Sequence, residues 1–257
     1  MNLELTNQTV AILGASRGIG RAIAEAFAAE GCRLGLFDRE PAAEPLPGTV
    51  LFRAGDVTSL ESVQAFAAEL GPVDHLVYAV GIGSGKFGFP FWNVPPSDWA
   101  RVLNVNLIGA VNAAHAFAPG LIAKGGGSVL LIASVAGQMG SQTDPPYSAS
   151  KAGLINFTHC AAKDFAPYQV RVNALAPGMV KTALNESIWA AGQARLPEEQ
   201  RQDYETWSQQ KIRTISPLGR WQTSEEMAAV AVFLASPHAR NMTGQTINVD
   251  GGQIMHS

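Results

Sequence analysis

Cysteine is scarce in this chain, and histidine has no metal-binding pattern. Among 257 residues there are two cysteines, Cys32 and Cys160, too few for a disulfide framework, and we expect both to be buried, reduced thiols. Five histidines occur, none in the HxxxH or HExxH spacing that is typical of metal sites. They are His75, His115, His159, His238 and His256. We therefore predict no bound metal and expect these histidines to be structural or solvated.

The chain also lacks a large net charge and a long apolar run. Its formal net charge is −3 and its pI is about 6.0, which gives no support for a nucleic-acid partner. No apolar stretch approaches the ~20 residues of a membrane span, and residues 1–5 show no basic region before an apolar one. We therefore expect a cytoplasmic protein with no membrane partner, and the length suits one α/β domain.

A glycine-rich turn follows the first apolar run. Residues 9–13 suit a buried strand, and residues 21–30 suit a helix that stops at a glycine. Between them Gly14, Gly18 and Gly20 have the spacing GxxxGxG. Glycines permit a tight turn and a close approach of the backbone to a pyrophosphate, whose charge suits a helix N-terminus. Strand, turn and helix together predict a dinucleotide site.

The second predicted strand ends in a carboxylate. Asp38 lies 18 residues after Gly20, close to the spacing of about 20 at which an acidic residue binds the ribose 2′-hydroxyl. A carboxylate there repels a 2′-phosphate, so we predict NAD rather than NADP. Arg17 and Arg39 argue mildly for NADP, because arginine can bind a phosphate. The alternative for both is a solvated or adenine-stacking side chain.

A tyrosine, a lysine and a serine form the candidate chemical group. Tyr147 and Lys151 are four residues apart, so on a helix they share one face. A phenol with a pKa of about 10 is a poor base at neutral pH, and an ammonium group one turn away should lower that pKa. Ser134, at the end of an apolar run, can offer a hydroxyl to the same substrate oxygen. This group predicts proton transfer to or from an alcohol or carbonyl oxygen.

Together these motifs resemble the short-chain dehydrogenase/reductase family over nearly the whole chain. The glycine turn is similar to the family's TGxxxGIG, with Leu13 in place of the threonine. Asn106 falls at the family's active-site asparagine and completes a tetrad with Ser134, Tyr147 and Lys151. The resemblance implies that Tyr147 is the base in oxidation and the acid in reduction. It also implies that Lys151 holds the ribose hydroxyls and that Asn106 holds a water linking Lys151 to solvent.

The resemblance further implies which residues bind the cofactor. Asp56 and Val57 are expected at the adenine, and Pro177, Gly178 and Thr182 at the nicotinamide carboxamide. The full expected set is Gly14, Ser16, Arg17, Gly18, Ile19, Gly20, Asp38, Arg39, Asp56, Val57, Ala79, Gly81, Tyr147, Lys151, Pro177, Gly178, Val180 and Thr182.

One family motif is altered. The NNAG that follows the family's fourth strand stands here as residues 78–81, YAVG, so only Gly81 is kept. The lost asparagine braces neighbouring strands in the family, and we expect Tyr78 to provide that support differently. Gly81 still allows the backbone to approach the cofactor.

The chain alternates strand and helix, which predicts a parallel sheet covered on both faces. Predicted strands are 9–13, 33–38, 49–53, 74–80, 127–133, 169–175 and 245–249. Predicted helices are 18–30, 59–70, 97–124, 147–166 and 223–235. The fold expected is α/β: a Rossmann-type doubly wound parallel sheet of about seven strands with helices on both faces, in a single domain over residues 1–257.

Two segments lie outside this pattern. Residues 82–96 form a loop with the aromatic side chains Phe87, Phe89, Phe91 and Trp92. Residues 183–216 carry Trp189, Tyr204 and Trp207 and correspond, by the resemblance, to the family's substrate lid. These aromatics either wall a pocket, close the lid onto the body or pack at a subunit contact. The candidates for substrate contacts are Gln138, Gln142 and Met179.

We predict an NAD-dependent oxidoreductase that interconverts a secondary alcohol and a ketone, with a small polyol, sugar or hydroxy acid as substrate. The alternative within the family is an NADP(H)-dependent 3-oxoacyl-type reductase. A third possibility is a cofactor-binding sensor without turnover, against which the complete tetrad argues. In the family, the helices matching 97–124 and 147–166 form a dimer contact and the C-terminal strand forms another, so the resemblance implies a homotetramer.

Overall fold

The computed structural model describes residues 2–86, 90–141 and 143–255. Phe87, Phe89, Gln142 and His256 lie outside the described residues. The strands are β1 (Thr9–Leu13), β2 (Arg33–Asp38), β3 (Thr49–Ala54), β4 (His75–Tyr78), β5 (Gly127–Ile132), β6 (Val170–Pro177) and β7 (Thr246–Val249). The helices are α1 (Gly18–Ala29), α2 (Leu60–Leu70), α3 (Pro96–Leu103), α4 (Gly109–Lys124), α5 (Ala136–Met139), α6 (Pro145–Phe165), α7 (Ala183–Gln193), α8 (Tyr204–Ile215) and α9 (Ser224–Ala235).

The seven strands form one parallel sheet in the order β3-β2-β1-β4-β5-β6-β7. The chain runs outward from β1 to β3 and then returns to place β4 on the other side of β1. This reversal creates a crevice at the carboxyl ends of β1 and β4, which is where open α/β sheets bind ligands. The predicted Rossmann-type fold is confirmed.

Alternation along the strands divides the core into two layers, because successive side chains point to opposite faces of a sheet. Val10 and Ile12 of β1 lie in one buried cluster, which includes apolar side chains of α1 and α9. Ala11 and Leu13 lie in the other, which includes apolar side chains of α2, α4 and α6. Helices therefore cover both faces of the sheet, as predicted.

The structure corrects several element predictions. The helix predicted over 97–124 begins at Pro96 and contains a π-helical turn, Asn104–Ile108, between α3 and α4. Three helices were not predicted: α5, α7 and α8. The first is only four residues long, and the other two lie in a polar segment without an apolar stripe long enough to indicate a helix. Cys32 is buried, but Cys160 is exposed on the outer side of α6.

The helical stretch Pro96–Lys124 is long and apolar enough to cross a membrane, with a mean hydropathy of 1.3. The sequence had suggested no such stretch. A core helix passes the same test of length and composition, and here the side chains of Ala113, Phe117 and Leu121 are buried against the sheet layer. Burial in the fold accounts for part of this apolar character, since 39 % of the 18-residue window is buried.

Candidate active site

Ser134 and Tyr147 meet where β5 ends and α6 begins. Ser134 lies two residues beyond β5 and is buried. Asp144 is the N-cap of α6, and its carboxylate accepts a hydrogen bond from Tyr147 N–H at 3.4 Å. Two prolines at the first helical positions fix this start, because the proline φ angle suits the first turn. The Ser134 side chain lies close enough to the phenol of Tyr147 to lower its pKa.

Lys151 lies one turn along α6 from Tyr147, on the same side, as the spacing predicted. Its ammonium nitrogen is 5.6 Å from the centre of the Tyr147 ring. The side chain is 2 % exposed, and Nζ donates a hydrogen bond to the carbonyl of Ile132 at 2.6 Å. The structure thus brings Ser134, Tyr147 and Lys151 together at one point.

In the protein without cofactor, the pKa of the Tyr147 phenol is not lowered as the nearby Lys151 ammonium had predicted. Burial raises the pKa of Tyr147 to about 12, an effect that the Ser134 side chain opposes and the Asp144 charge reinforces. Burial also lowers the pKa of Lys151 to about 7. The prediction that the ammonium lowers the phenol pKa is therefore wrong for this state, because desolvation disfavours the charged form of both groups.

Asn106 links the loop after β4 to helix α6 by hydrogen bonds. It is fully buried in the π-helical turn. Its side-chain carbonyl accepts from Ile82 N–H at 2.8 Å, and its amide donates to the Ile82 carbonyl and to Ser150 Oγ, both at 2.9 Å. Ser150 Oγ in turn donates to the carbonyl of Tyr147 at 2.7 Å. The amide of Asn106 is thus occupied by protein partners, and a water-holding role stays a prediction.

The glycine turn lies at the crevice and fits a pyrophosphate. Gly14 has φ +89°, and a Cβ there would lie 2.8 Å from the backbone of Ala79, which follows β4. A Cβ on Gly20 would lie 1.9 Å from the carbonyl of Gly14. Gly18, by contrast, has no neighbouring atom within 4 Å of a Cβ position. The turn is therefore packed tightly on its inner side and open at Gly18, where a ligand can approach the backbone.

The N-terminus of α1 has no cap from its own sequence. Arg17 occupies the N-cap position without a side-chain hydrogen bond, and the first turn contains no acidic residue. The first N–H groups of a helix lack intrahelical partners and carry partial positive charge. Ile19 is half-buried behind this turn. The arrangement fits the phosphate groups of a dinucleotide.

Asp38 stands at the end of β2 beside the glycine turn. Its carboxylate accepts hydrogen bonds from Ser16 N–H at 3.0 Å and from Arg39 N–H at 2.7 Å. The hydroxyl of Ser16 donates to the carbonyl of Glu40. Hydrogen bonds from Thr58 lower the pKa of Asp56, and the Arg39 charge lowers it further. Arg39 thus lies within electrostatic range of Asp56.

The segment after β6 leads to the predicted lid. Gly178 N–H donates to the carbonyl of Val249, and Val180 pairs with Gln222 as an isolated parallel bridge. Thr182 caps α7, and its hydroxyl accepts from Asn185 N–H at 3.4 Å. Pro177 is the last residue of β6. These residues therefore lie at and just beyond the carboxyl end of β6, next to the edge strand β7, and their nicotinamide role stays a prediction.

Gln138 and Met179, two of the three candidate substrate contacts, make hydrogen bonds within the protein. The amide of Gln138 makes two reciprocal hydrogen bonds with the amide of Asn248 in β7, at 2.8 and 3.0 Å. Met179 N–H donates to the side chain of Gln222 at 2.7 Å. Gln138 thus links α5 to the edge of the sheet, and its substrate role loses support.

The aromatics of residues 183–216 pack on one another. Trp189 and Tyr204 make an edge contact with ring centres 5.7 Å apart, and Tyr204 and Trp207 are 6.0 Å apart. Tyr204 donates to Asn185 Oδ1 at 2.9 Å, and Lys181 forms an ion pair with a residue of α8. These contacts link α7, α8 and the segment before α7. They show that Trp189, Tyr204 and Trp207 pack within this segment, and the choice among pocket wall, lid closure onto the body and subunit contact stays open.

The sequence did not indicate the role of Asp144, and it did not indicate which atom Tyr78 would contact. Asp144 is buried and also accepts from Ser84 N–H at 2.7 Å, and its desolvation raises its pKa. An acid directly before two prolines is a recognisable N-cap pattern that could have identified it. Tyr78 is fully buried and donates to the carbonyl of Val105. No local sequence signal indicates that contact. Among the described residues no cluster of histidine, cysteine and acidic side chains can hold a metal ion.

Comparisons with known proteins find similar proteins over nearly the whole length of this chain. A model of the family described as "Enoyl-(Acyl carrier protein) reductase" matches residues 14–253. Galactitol 2-dehydrogenase (L-tagatose-forming) of Cereibacter sphaeroides is 36 % identical over 97 % of this chain and 96 % of its own length. The 3-oxoacyl-[acyl-carrier-protein] reductase of Thermotoga maritima is 34 % identical over 98 % of this chain and all of its own. The structure of L-sorbose reductase from Gluconobacter frateurii, complexed with NADPH and L-sorbose, has a TM-score of 0.89 at 28 % identity and covers both chains fully.

Proposed function

The chain belongs to the short-chain dehydrogenase/reductase family, a family of oxidoreductases that act on alcohol and carbonyl groups with a nicotinamide cofactor, and we propose that it is an NAD-dependent dehydrogenase of secondary alcohols. The observation that carries the proposal is the meeting of Ser134, Tyr147 and Lys151 beyond the carboxyl end of β5, at the same edge of the parallel sheet as the glycine turn. A substrate oxygen between the two hydroxyls would be held and protonated or deprotonated at one point.

The proposed mechanism assigns separate tasks to the protein and the cofactor. A bound nicotinamide cofactor supplies the hydride acceptor in oxidation and the hydride donor in reduction. Ser134 hydrogen-bonds the substrate oxygen and orients it. Tyr147 takes the hydroxyl proton in oxidation and returns a proton in reduction. Lys151 binds the ribose hydroxyls and, when protonated, stabilises the phenolate of Tyr147 by its charge.

The residues that would hold the cofactor surround the crevice. The open backbone at Gly18 and the uncapped N-terminus of α1 suit the pyrophosphate. Asp38 would bind the ribose hydroxyls, Asp56 and Val57 would border the adenine, and Thr182 would orient the carboxamide. Gly81 leaves space next to Lys151, because a Cβ there would lie 3.2 Å from Nζ.

For the cofactor we propose NAD over NADP. Asp38 presents a carboxylate at the end of β2, where a 2′-phosphate would be repelled. The L-sorbose reductase with a similar structure is complexed with NADPH, so relatives with the other preference exist. In this chain Arg39 lies near the Asp56 charge, which weakens its claim to a phosphate.

For the substrate we propose a small polyol, sugar or hydroxy acid. A galactitol dehydrogenase and an L-sorbose reductase are among the similar proteins, which supports the polyol and sugar classes. The 3-oxoacyl-type alternative has support from the Thermotoga reductase. Acyl groups bound to coenzyme A bring phosphate charges, whereas residues 183–216 contain five carboxylates and four basic groups. That balance favours a small substrate over a coenzyme A thioester, and it favours the polyol and sugar classes over the anionic hydroxy acids.

The first experiment is a spectrophotometric assay of nicotinamide reduction. The panel contains polyols, aldoses, hydroxy acids and cyclic alcohols, each with NAD and with NADP, and a 3-oxoacyl thioester is tested with the reduced cofactors. We expect NAD-linked oxidation of one polyol or sugar class. Activity confined to the thioester with NADPH would establish the alternative. Binding of NAD by calorimetry without turnover of any compound would favour the sensor.

The same assay tests the role of Tyr147. Replacement by phenylalanine removes the proton-transferring group and leaves the ring, so turnover should fall by at least about 100-fold, while NAD still binds by calorimetry. Tyr168→Phe is the matched control, because Tyr168 is 43 % exposed and lies outside the site. A Tyr147→Phe enzyme with ordinary turnover would contradict the assignment.

A further inference from the structure

The helix that carries Asn106 has a broken hydrogen-bond pattern at one point. Within its π-helical turn, Gly109 N–H donates to the carbonyl of Asn104, five residues earlier. In an α-helix the same N–H would donate to Val105, four residues earlier. The carbonyl of Val105 thereby loses its regular donor. Single π-helical turns of this kind occur frequently at functional sites.

Tyr78 supplies the missing donor. Its phenol donates to the carbonyl of Val105 at 2.5 Å, and the side chain is fully buried at the end of β4. Gly109 makes this contact possible, because a Cβ at that position would lie 2.3 Å from the Tyr78 hydroxyl oxygen. Tyr78 and Gly109 are therefore a sterically matched pair, and Tyr78 is the first residue of the segment that differs from the family's NNAG.

The carbonyl that Tyr78 holds belongs to the residue before Asn106. From Asn106, hydrogen bonds lead to the backbone of Ile82 and, through Ser150, to the backbone of Tyr147. Ile82 follows Gly81, whose Cα faces Lys151 Nζ. A continuous set of contacts thus links the Tyr78 hydroxyl to α6, the helix that carries Tyr147.

We propose that Tyr78 is a positioning residue for the reaction at Tyr147. Its hydroxyl holds the π-helical turn in register, and the turn places Asn106 between the loop after β4 and α6. The inference rests on the proposed dehydrogenase function. A residue that only filled the core would contribute to stability and leave the chemical step untouched, so the two roles differ in what they predict for kcat.

Tyr78→Phe is the first test, because it removes the hydroxyl and keeps the ring. We expect kcat to fall by about tenfold or more, the range typical when a supporting contact of a reactive group is lost, with the KM values for NAD and alcohol nearly unchanged. Amide hydrogen exchange across residues 104–110 should accelerate in the folded variant.

Thr158→Val is the matched control. Thr158 is buried on α6, and its hydroxyl donates to the helix carbonyl of Leu154 at 2.9 Å. The control therefore also deletes a buried hydroxyl that donates to a helix carbonyl, and it should keep kcat near that of the wild type. A Tyr78→Phe enzyme with unchanged kcat, or with a loss no larger than that of Thr158→Val, overturns the proposal.

Gly109→Ala tests the same contact from the other side. The added methyl displaces the phenol, so kcat should fall as it does in Tyr78→Phe. In the double variant the hydroxyl is gone, and the two losses should not add, because both changes break one contact. Additive losses overturn the proposal, and if Gly109→Ala does not fold, the comparison of Tyr78→Phe with Thr158→Val decides it alone.

The proposal and the underlying function fail in different ways. If the wild-type protein reduces no cofactor and Tyr147→Phe changes nothing, the dehydrogenase assignment fails. If the wild type is active and depends on Tyr147, the outcome of the Tyr78 and Gly109 variants decides the positioning role alone.

Discussion

At the scale of single residues, burial dominates the chemistry of this site. Burial raises the pKa of Tyr147 to about 12 and lowers that of Lys151 to about 7. The phenol is therefore a proton donor in the protein alone, and it becomes a base only when positive charge nearby favours the phenolate. The spacing of the two residues on α6 indicates that they meet, and their environment determines their charge.

The low pKa of Lys151 predicts a pH-dependent stability. Between pH 7 and 10 the unfolded chain keeps a proton on this lysine, whose ordinary pKa is 10.5, while the folded protein releases it. Because the unfolded state binds more protons, the free energy of unfolding should rise with pH in this window, by up to about 1.4 kcal/mol per unit.

Denaturant unfolding of the wild type and of Lys151→Met, at several pH values from 7 to 10, measures this effect. The variant has no titrating group at this position and should show a flatter dependence. Parallel curves for the two proteins would refute the pKa shift of Lys151.

Asp38 should determine the choice of cofactor. Asp38→Ser removes the charge that repels a 2′-phosphate, so the preference for NAD, expressed as the ratio of kcat/KM values, should fall by at least about tenfold, or ~1.4 kcal/mol. Steady-state kinetics with both cofactors gives the ratio, and Arg39→Ala serves as the comparison. A larger change in the Arg39 variant than in the Asp38 variant would assign the selectivity to the arginine.

At the scale of elements, the strand–turn–helix unit formed by β1 and α1 supplies the phosphate site. The turn is held on its inner side by contacts that only glycine permits at Gly14 and Gly20. At Gly18 the same turn is open to the crevice. The glycines of one motif therefore serve different purposes, packing in two cases and ligand access in the third.

Gly18→Ala separates these purposes. Gly18 has φ +57° and open space around it, so the variant should lose about 1 kcal/mol of stability from left-handed backbone strain, and its NAD affinity should fall because the methyl group occupies the approach to the backbone. Gly125→Ala is the control, since Gly125 has φ +70° and open space at the end of α4. Calorimetry of NAD binding should distinguish the two, and equal affinity in both variants would contradict the assignment.

At the scale of the whole molecule, several large apolar side chains on and near the helices α4 and α6 are exposed. Ile108 and Ile122 on the helical stretch 96–124 are 45 % and 36 % exposed. Phe91 and Trp92 border a cleft of about 700 Å³ whose floor includes α6 residues such as Ala149. Surfaces of this kind favour association, and the homotetramer that the family resemblance implies stays a prediction. The cytoplasmic location expected from the sequence also stays a prediction.

Light scattering coupled to gel filtration tests the assembly. We expect a particle of four times the monomer mass of 27.1 kDa. Ala152→Glu places a charge on the exposed side of α6 and should shift the mass toward smaller species. A wild-type protein that elutes as a monomer at micromolar concentration would exclude the tetramer.

Local sequence patterns predicted many of the residues of the candidate site. The sequence predicts the apolar run of β1, the glycine spacing and the acid at the end of β2. Each of these features depends on residues close to it in the chain. Tyr147 and Lys151 are readable for the same reason, since helical geometry places residues four apart on one face. The fold class followed from the alternation of strand and helix.

The sequence by itself therefore determined the fold class and the chemical groups, because both depend on short-range periodicity. Only the tertiary structure decided how those groups are charged, supported and joined. It revealed that Gln138 forms a hydrogen bond with Asn248 and that the lid aromatics pack within their own segment. It also revealed that Tyr78, which stands in place of the family's asparagine, donates a hydrogen bond to the carbonyl of Val105. These contacts join residues far apart in the chain, and burial, which sets the pKa values, exists only once those segments have packed together.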